Sequence, residues 1–181
     1  MFEKFKQFIN SIGNTPNEEK SIIDEAETIV EEEVYTFKVA GISFHYKELD
    51  KIIKSLLDEG VIKKYCGYTN KDILESGEGM TIYQYQYVKG VKLDPYTYEG
   101  KDAIKVILPD YKGKWYEVGS VPKKNLKDVI DLLNNQEKIT NIEFSIAGGP
   151  AKYVNEDDDD KPYLVDKEYE YGVNIHITYN K

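Results

Sequence analysis

Two segments of this chain have the apolar spacing of amphipathic helices, and each lies between runs of strand-forming residues. In YKELDKIIKSLLDEG the helical spacing falls on Leu49, Ile52, Ile53, Leu56 and Leu57. In KKNLKDVIDLLNN it falls on Leu126, Val129, Ile130 and Leu133. Because these helices interrupt the strands without alternating regularly with them, the pattern disfavours a regular α/β fold.

The segments around the two helices predict about six or seven strands. The clearest runs are VYTFKVAGISF, MTIYQYQYVKGVKL, AIKVILPD, KGKWYEVGSVP, ITNIEFSIAGG with AKYV, and PYLVDKEYEYGVNIHITYN. VIKKYCGYTNKDILESGEG predicts a short strand, a loop and one helical turn. Glycines inside the runs, such as Gly41, Gly148 and Gly149, mark bends or bulges. Short strands of this kind predict a mainly β, α+β fold, with a small, partly open barrel and two flanking helices.

A change of composition near Glu33 divides the chain into two parts. Residues 1–13, MFEKFKQFINSIG, predict an amphipathic helix. Its apolar residues at helical spacing are Phe2, Phe5, Ile9 and Ile12. This helix could dock on the body, touch a membrane surface or bind a partner. The next residues are acidic and lack aromatics, as linkers do, so we predict a helix and acidic linker over 1–33 and a barrel domain over 34–181.

Composition narrows the classes of protein further. No apolar run approaches the roughly 18 to 20 residues needed to cross a bilayer, so we expect no membrane insertion. The start of the chain does not resemble a signal peptide and Cys66 is the single cysteine, which favours a cytoplasmic protein. The formal net charge is -9, but much of the acidic excess lies in residues 1–33. All 24 basic residues are lysine, which argues against base-specific recognition.

Residues that could carry catalysis are few. The two histidines, His45 and His176, have no partner at metal-ligand spacing, and no phosphate-binding or nucleophile motif occurs. The acidic run from Glu156 to Asp160 lacks the spaced ligands and turn glycine of a calcium loop, so it predicts a solvated loop. We therefore expect no enzyme activity, no cofactor and no metal.

Tyrosines alternate along one predicted strand. Tyr83, Tyr85 and Tyr87 would lie on one face of MTIYQYQYVKGVKL. Such a ladder could stack on bases, as aromatic platforms do in proteins that bind single strands. The same pattern is also typical of a half-buried sheet face, which is the interpretation we favour.

Four segments together resemble the HIRAN domain, a small module found with helicases and nucleases and as a stand-alone bacterial protein. The segments are VAGISF (Val39 to Phe44), LDPYTYEGKDAIKV (Leu93 to Val106), VGSVP (Val118 to Pro122) with NLKDVIDLL, and FSIAGG (Phe144 to Gly149). They follow the family's order and cover residues 35–154. The resemblance implies a six-stranded, OB-like barrel with two flanking helices, in agreement with the elements predicted above.

HIRAN domains that bind DNA hold single-stranded 3′ ends. In the family, an aromatic of the first strand and the tyrosine of an asparagine-proline-tyrosine-aspartate motif stack on bases, and polar residues of the motif hold the terminal hydroxyl. Asp94 and Pro95 match the family's acid-proline pair. The end-binding positions are taken by Thr97, Tyr98, Glu99 and Gly100. The last two stand where the motif has tyrosine and aspartate.

The resemblance therefore predicts a non-enzymatic module that binds single-stranded DNA or DNA 3′ ends with a changed end-binding motif. The residues expected to stack on bases are Phe37, Tyr96 and Tyr98. The residues expected to meet phosphate are Lys38, Lys101, Lys105 and Lys123. Thr97 and Glu99 would lie beside the end of the strand.

Two alternatives remain open. The first is a protein-interaction or host-interference protein of a phage or mobile element, which would bind a protein partner and no nucleic acid. The second is a metal-dependent hydrolase that uses Asp94, Glu99 and Asp102. Hydrogen bonding at a hairpin tip is a sufficient reason for Asp102 at its position.

Overall fold

A computed structural model describes residues 31–181, and the predicted helix of residues 1–13 lies outside this range, as does the linker up to residue 30. The described strands are β1 (Glu32–Lys38), β2 (Met80–Thr81), β3 (Tyr87–Lys89), β4 (Lys92–Tyr98), β5 (Lys101–Pro109), β6 (Trp115–Ser120), β7 (Ile139–Glu156) and β8 (Pro162–Asn180). The described α-helices are α1 (Tyr46–Asp58), α2 (Asn70–Ser76) and α3 (Leu126–Asn134).

The larger sheet is built on the long antiparallel hairpin of β7 and β8. Its strand order is β1, β8, β7, β2, and β3 also pairs with β7. The pairing of β1 with β8 begins at Glu32 with Asn180, so β1 covers only the C-terminal part of β8. The register of β7 against β8 shifts between Ala147 and Gly149, which confirms a bulge at these glycines, although β7 continues through them as one strand.

The smaller sheet has the order β4, β5, β6, and its strands are antiparallel neighbours along the chain. β4 and β5 form the hairpin that the sequence predicts, with its turn at Glu99 and Gly100. The pairing of β5 with β6 shifts between Val106 and Ile107, where a bulge bends the sheet.

A backbone bridge between Ala40 and Ser120 links the two sheets. Each N–H donates to the other residue's carbonyl oxygen at 2.9 Å. The neighbouring Val39 N–H donates to the carbonyl of Val173 in β8 at 2.8 Å, so the chain passes from one sheet to the other within this short segment. Neither sheet of the described residues closes on itself. The prediction of a mainly β, α+β fold is therefore confirmed, with open sheets.

The two sheets and α1 contribute to one hydrophobic core. The larger sheet contributes Phe37, Phe144, Ile175 and Ile177. The smaller sheet contributes Leu93, Ile104, Val106, Leu108 and Val118. The α1 helix contributes Leu49, Ile52, Ile53 and Leu56. Each of these side chains is buried, and full burial of one such side chain stabilises a fold by about 1.5 to 3 kcal/mol relative to exposure.

The helices α1 and α3 confirm the two helical segments predicted from apolar spacing. The α2 helix was predicted only as one turn. It is held by a capping box, in which Thr69 Oγ1 accepts from the N–H of Asp72 and the carboxylate of Asp72 accepts from the N–H of Thr69. Burial of Ile73 attaches this helix to the body. No helix in residues 31–181 has the length and apolar character required to cross a membrane.

The predicted tyrosine strand is interrupted in the structure. β2 ends at Thr81 and β3 begins at Tyr87, and between them Tyr85 has a φ of 60°. Tyr83 is only 3% exposed, whereas Tyr85 is 69% exposed. The prediction of one long strand was wrong, because the turn at Tyr85 breaks the alternation that would place three tyrosines on one face.

Candidate nucleic-acid interface

The register of the β4–β5 hairpin places aromatic and basic side chains on the face opposite the core. Leu93 pairs with Val106, and both are buried. Side chains alternate between the faces of a strand, so Tyr96 and Tyr98 lie on the other face. Tyr98 pairs directly with Lys101, which places a basic side chain beside an aromatic ring.

We name this surface the hairpin face. Its charged and aromatic residues are Lys92, Asp94, Tyr96, Tyr98, Lys101, Lys105, Trp115 and Glu117. Three of these residues are lysines and two are acids, so the hairpin face is slightly positive although the whole chain has a net charge of -9. The hairpin face therefore differs in charge from the rest of the protein.

Lysines on the hairpin face lie against aromatic rings. The Lys92 ammonium lies 3.7 Å from the centre of the Trp115 ring, and the Lys105 ammonium lies 5.2 Å from the centre of the Tyr96 ring. Such cation–π contacts orient both partners. Lys105 Nζ also donates to Glu117 Oε2 at 2.8 Å, and this hydrogen bond raises the pKa of Lys105 above its usual range.

Exposure is highest toward the tip of the hairpin. Tyr98 is 61% exposed, and the turn that follows it places both Glu99 (φ 49°) and Gly100 (φ 74°) in the left-handed region. Two consecutive residues of this kind are typical of the tight turns that match strand twist. A glutamate in this conformation costs roughly 1 to 2 kcal/mol relative to glycine. The turn leaves the Glu99 side chain in solvent at the tip.

Lys123 lies at the same end of the smaller sheet as the hairpin tip. The N–H of Val121 donates to the carbonyl of Ile104 at 2.9 Å, so the chain after β6 continues beside β5 toward that tip. Lys123 and Lys124 are both exposed. The structure thus brings Tyr98 and these lysines to one end of the sheet.

Phe44 is an exposed aromatic that the sequence reasoning missed. It is 88% exposed and lies in the short helical turn Ile42–Phe44, which follows the Ala40–Ser120 bridge and packs against β6. Gly41 starts this turn with a φ of 81°. The glycine between a strand and a helix predicts a turn here, but no local signal distinguishes the exposed Phe44 from Ile42 of the same turn, which is buried.

Three other predicted residues lie away from the hairpin face. Phe37 is in the core and only 3% exposed, which leaves no ring face for a base. Lys38 is exposed on the outer side of the larger sheet, where its side chain covers Gly172. Thr97 pairs with Asp102 on the side of the hairpin opposite Tyr96. None of the three therefore belongs to the hairpin face.

The three carboxylates of the hydrolase hypothesis do not converge. Asp94 pairs with Lys105 on the hairpin face, whereas Asp102 lies on the opposite face and Glu99 is at the tip. Within residues 31–181, no group of three histidine, cysteine or acidic side chains could hold a metal ion. In the acidic run, Asp157 accepts from the backbone N–H groups of Asp159 and Lys161, so this carboxylate closes its own turn.

His176 lies in a hydrogen-bonded cluster on the outer side of the larger sheet. Its Nε2 is 2.9 Å from Ser145 Oγ, and its Nδ1 is 3.1 Å from Thr36 Oγ1. The edge of the Tyr87 ring packs on the imidazole at 5.0 Å between ring centres. Burial lowers the pKa of His176 below the ordinary value of 6.5, while the charge of Glu143 opposes this shift. Strand alternation from sequence identified the face of His176 but not its partners.

Comparison with known proteins gives no match for this chain among family models, curated proteins or solved structures.

Proposed function

We propose that this protein is a non-enzymatic binding module for single-stranded DNA and that the hairpin face is its binding surface. One observation carries the proposal: strand register places Tyr96, Tyr98, Lys101 and Lys105 on one side of the β4–β5 hairpin, where Tyr98 and Lys101 are exposed and the other two are half-buried. Aromatic rings next to cations are the combination by which proteins hold single strands, because bases stack on the rings while ammonium groups neutralise phosphates.

The resemblance to HIRAN domains supports this proposal through the order of its segments. We propose that the linked sheets correspond to the OB-like barrel of that family. In support, the hairpin with Asp94 and Pro95, the β6 strand and the helix after it follow one another as the resemblance requires. The Ala40–Ser120 bridge brings the first strand segment beside β6, as a barrel of this kind needs.

In the proposed complex, Tyr98 provides the most accessible stacking ring and Tyr96 a second ring beside it. Lys101 and Lys123 are exposed and available for phosphate. Lys105 is already paired with Glu117, so a phosphate must share or displace that carboxylate. The expected affinity therefore depends more on Lys101 and Lys123 than on Lys105.

Glu99, at the tip of the β4–β5 hairpin, is proposed to determine which chemical end of a DNA strand the protein prefers. Its exposed carboxylate can accept a hydrogen bond from a terminal hydroxyl but repels a terminal phosphate. We therefore propose that the protein prefers a 3′-hydroxyl end to a 3′-phosphate end. Substitution Glu99→Gln removes the repulsion and should abolish this preference while leaving binding to the interior of a strand unchanged.

The decisive experiment is fluorescence anisotropy with a labelled single-stranded oligonucleotide at a low and a high salt concentration. Tyr98→Ala should weaken binding by about 1 to 3 kcal/mol, the range for loss of one base–aromatic stack. Tyr163→Ala is the matched control, because Tyr163 is also exposed (46%) but lies on the acidic β7–β8 hairpin. Absence of binding at low salt, or equal weakening by both variants, would reject the proposed surface.

Lysine variants test the phosphate contacts separately. Lys101→Ala and Lys123→Ala should each reduce the slope of log affinity against log salt by about 0.7, as expected for one phosphate contact of a single strand. Lys71→Ala is the control, since Lys71 is exposed on α2 and pairs with Glu75. If neither Lys101→Ala nor Lys123→Ala changes the salt slope, or if Lys71→Ala changes it equally, phosphate contact by Lys101 and Lys123 is rejected.

The second candidate function is protein interaction without nucleic acid, and the distal part of the β7–β8 hairpin favours it. This part carries a concentration of exposed acids: Glu156, Asp157, Asp158, Asp159, Asp160, Asp166, Glu168 and Glu170. An acidic arm attracts basic protein surfaces. A stable partner recovered in a pull-down, with binding that survives the Lys101 and Lys123 substitutions, would favour this candidate over DNA binding.

A further inference from the structure

A cleft of about 470 Å³ lies between α3 and the paired ends of β1 and β8. Tyr35, Leu132 and Tyr179 give it aromatic and aliphatic walls, and Asp128 and Asp131 of α3 also line it. The volume lies within the roughly 300 to 1,000 Å³ of typical binding pockets. This cleft is separate from the hairpin face and is not used by the proposed function.

The N-terminal part of the chain enters the described structure at the rim of this cleft. Lys181 lines the cleft, and its backbone N–H donates to the carbonyl of Glu31 at 3.1 Å. Its ammonium pairs with the carboxylate of Glu33 at 2.7 Å. Glu31, to which residues 1–30 are joined, therefore lies at this rim, and a segment as long as residues 14–30 can span up to roughly 60 Å when fully extended. Residues 1–13 are within reach of the cleft.

The sequence of residues 1–13 complements the cleft in polarity, and its lysines complement the α3 side of the cleft, whereas Lys138 and Lys181 line the other side. Phe2 and Phe5 are on the predicted apolar side of this segment, and Lys4 and Lys6 flank that side. The cleft offers apolar walls for the rings and, on α3, carboxylates for the lysines. A segment tethered this closely has an effective concentration in the millimolar range, so a contact with a dissociation constant of about 1 mM suffices for half occupancy.

We propose that residues 1–13 of the same chain occupy this cleft, with Phe2 and Phe5 against Leu132 and the two tyrosines and with Lys4 and Lys6 facing Asp128 and Asp131. The chain would then carry its own ligand for the cleft. A change that releases this segment, such as binding of a partner, would expose both the cleft and the apolar side of residues 1–13.

Hydrogen exchange of the full chain, measured by mass spectrometry, tests the proposal. The double variant Phe2→Ser/Phe5→Ser should increase amide exchange in α3 about twofold or more and leave the β4–β5 hairpin unchanged. Gln7→Ser/Asn10→Ser is the matched control on the polar side of the segment and should have no effect. Equal α3 exchange in wild type and both variants would overturn the proposal.

A charge exchange tests the pairing of the lysines with α3. Asp131→Lys should increase α3 exchange, and adding Lys4→Glu/Lys6→Glu should restore protection. Asp131 is exposed, so its substitution should leave the fold intact. A triple variant without restored protection would overturn the charge pairing. Protection that rises with protein concentration would assign the cleft to a segment from a second copy and would overturn the intramolecular contact.

Discussion

The backbones of Ala40 and Ser120 exchange two hydrogen bonds, each 2.9 Å long, and these bonds join the larger sheet to the smaller one. The bridge lies between two segments with different roles. On one side, the chain after Ala40 forms the turn that exposes Phe44, and on the other side the chain after Ser120 leads to Lys123. The bridge therefore holds together the two chain segments that lead to Phe44 and to Lys123.

Gly119 beside the bridge is required by space as well as by backbone conformation. Its φ is 146°, and an added Cβ would lie 2.8 Å from Val39 Cγ1 and in collision with the carbonyl oxygen of Ala40. We expect Gly119→Ala to lower the free energy of unfolding by roughly 2 kcal/mol or more, from backbone strain together with overpacking. Urea unfolding measures this loss.

The control for this substitution is Gly113→Ala. Gly113 also has a positive φ, 80°, but nothing lies within 4 Å of its Cβ position. The free energy of unfolding of Gly113→Ala should fall only by the cost of the left-handed backbone conformation, about 1 to 2 kcal/mol. If both variants lose the same stability, contact with Ala40 is not what requires glycine at position 119.

Phe44 should matter for binding and not for stability. Because its ring is 88% exposed, Phe44→Ala should change the free energy of unfolding by less than about 0.5 kcal/mol. If the ring provides a further stacking surface beside β6, the same variant should weaken binding of single-stranded DNA by about 1 kcal/mol or more. Anisotropy titrations and urea unfolding of the same preparation measure the two effects.

Tyr85→Ala is the control for Phe44→Ala, because Tyr85 is 69% exposed but lies in the connection between β2 and β3. It should leave DNA binding unchanged. Equal DNA binding by wild type and Phe44→Ala would remove Phe44 from the interface without affecting the argument for Tyr98.

Local pattern predicted the helices and most strands of this fold, because periodicity and glycine position depend on neighbouring residues. The apolar spacing of α1 and the bulge at Gly148 and Gly149 are such features. The division of the tyrosine strand was missed. A left-handed Tyr85 is unfavourable locally, and its cost is offset by non-local features such as burial of Tyr83 and pairing of β3 with β7.

Within the candidate site, the sequence predicted only the residues that the β4–β5 hairpin contributes. Tyr96, Tyr98, Lys101 and Lys105 share a face because of strand alternation and hairpin register, both of which follow from local sequence. Burial of Phe37 depends on which face of β1 meets the core. Exposure of Phe44 depends on a bridge between segments far apart in sequence, which no local pattern contains.

Tyr83 should titrate later than exposed tyrosines. Burial, together with the neighbouring Tyr171, raises the pKa of Tyr83 to about 12. In the folded protein Tyr83 keeps its proton at pH values above 10.0, the pKa of the group in the unfolded chain. The contribution of Tyr83 to stability is therefore complete below pH 10 and is lost as the pH rises toward about 12. A titration followed by tyrosinate absorbance should show Tyr83→Phe lacking one late-titrating group.

The wild-type protein, titrated under the same conditions, is the reference for Tyr83→Phe. A late fraction that is the same in wild type and Tyr83→Phe would contradict the raised pKa of Tyr83.

The His176 cluster should make stability depend on pH in the acidic range. Burial lowers the pKa of His176, so the unfolded chain binds a proton more readily than the folded protein. The stabilising contribution is complete above the unfolded value of 6.5 and decreases as the pH falls through the folded pKa. The charge of Glu143, which favours the protonated ring, reduces this effect but does not reverse it.

Urea unfolding at about pH 7.5 and about pH 5 should therefore show lower stability at the acidic value. His176→Gln should reduce the difference, because glutamine can still bond to Ser145 or Thr36 but does not titrate. Chemical shifts of the His176 ring measure its pKa directly, and a value above 6.5 in the folded protein would contradict the argument.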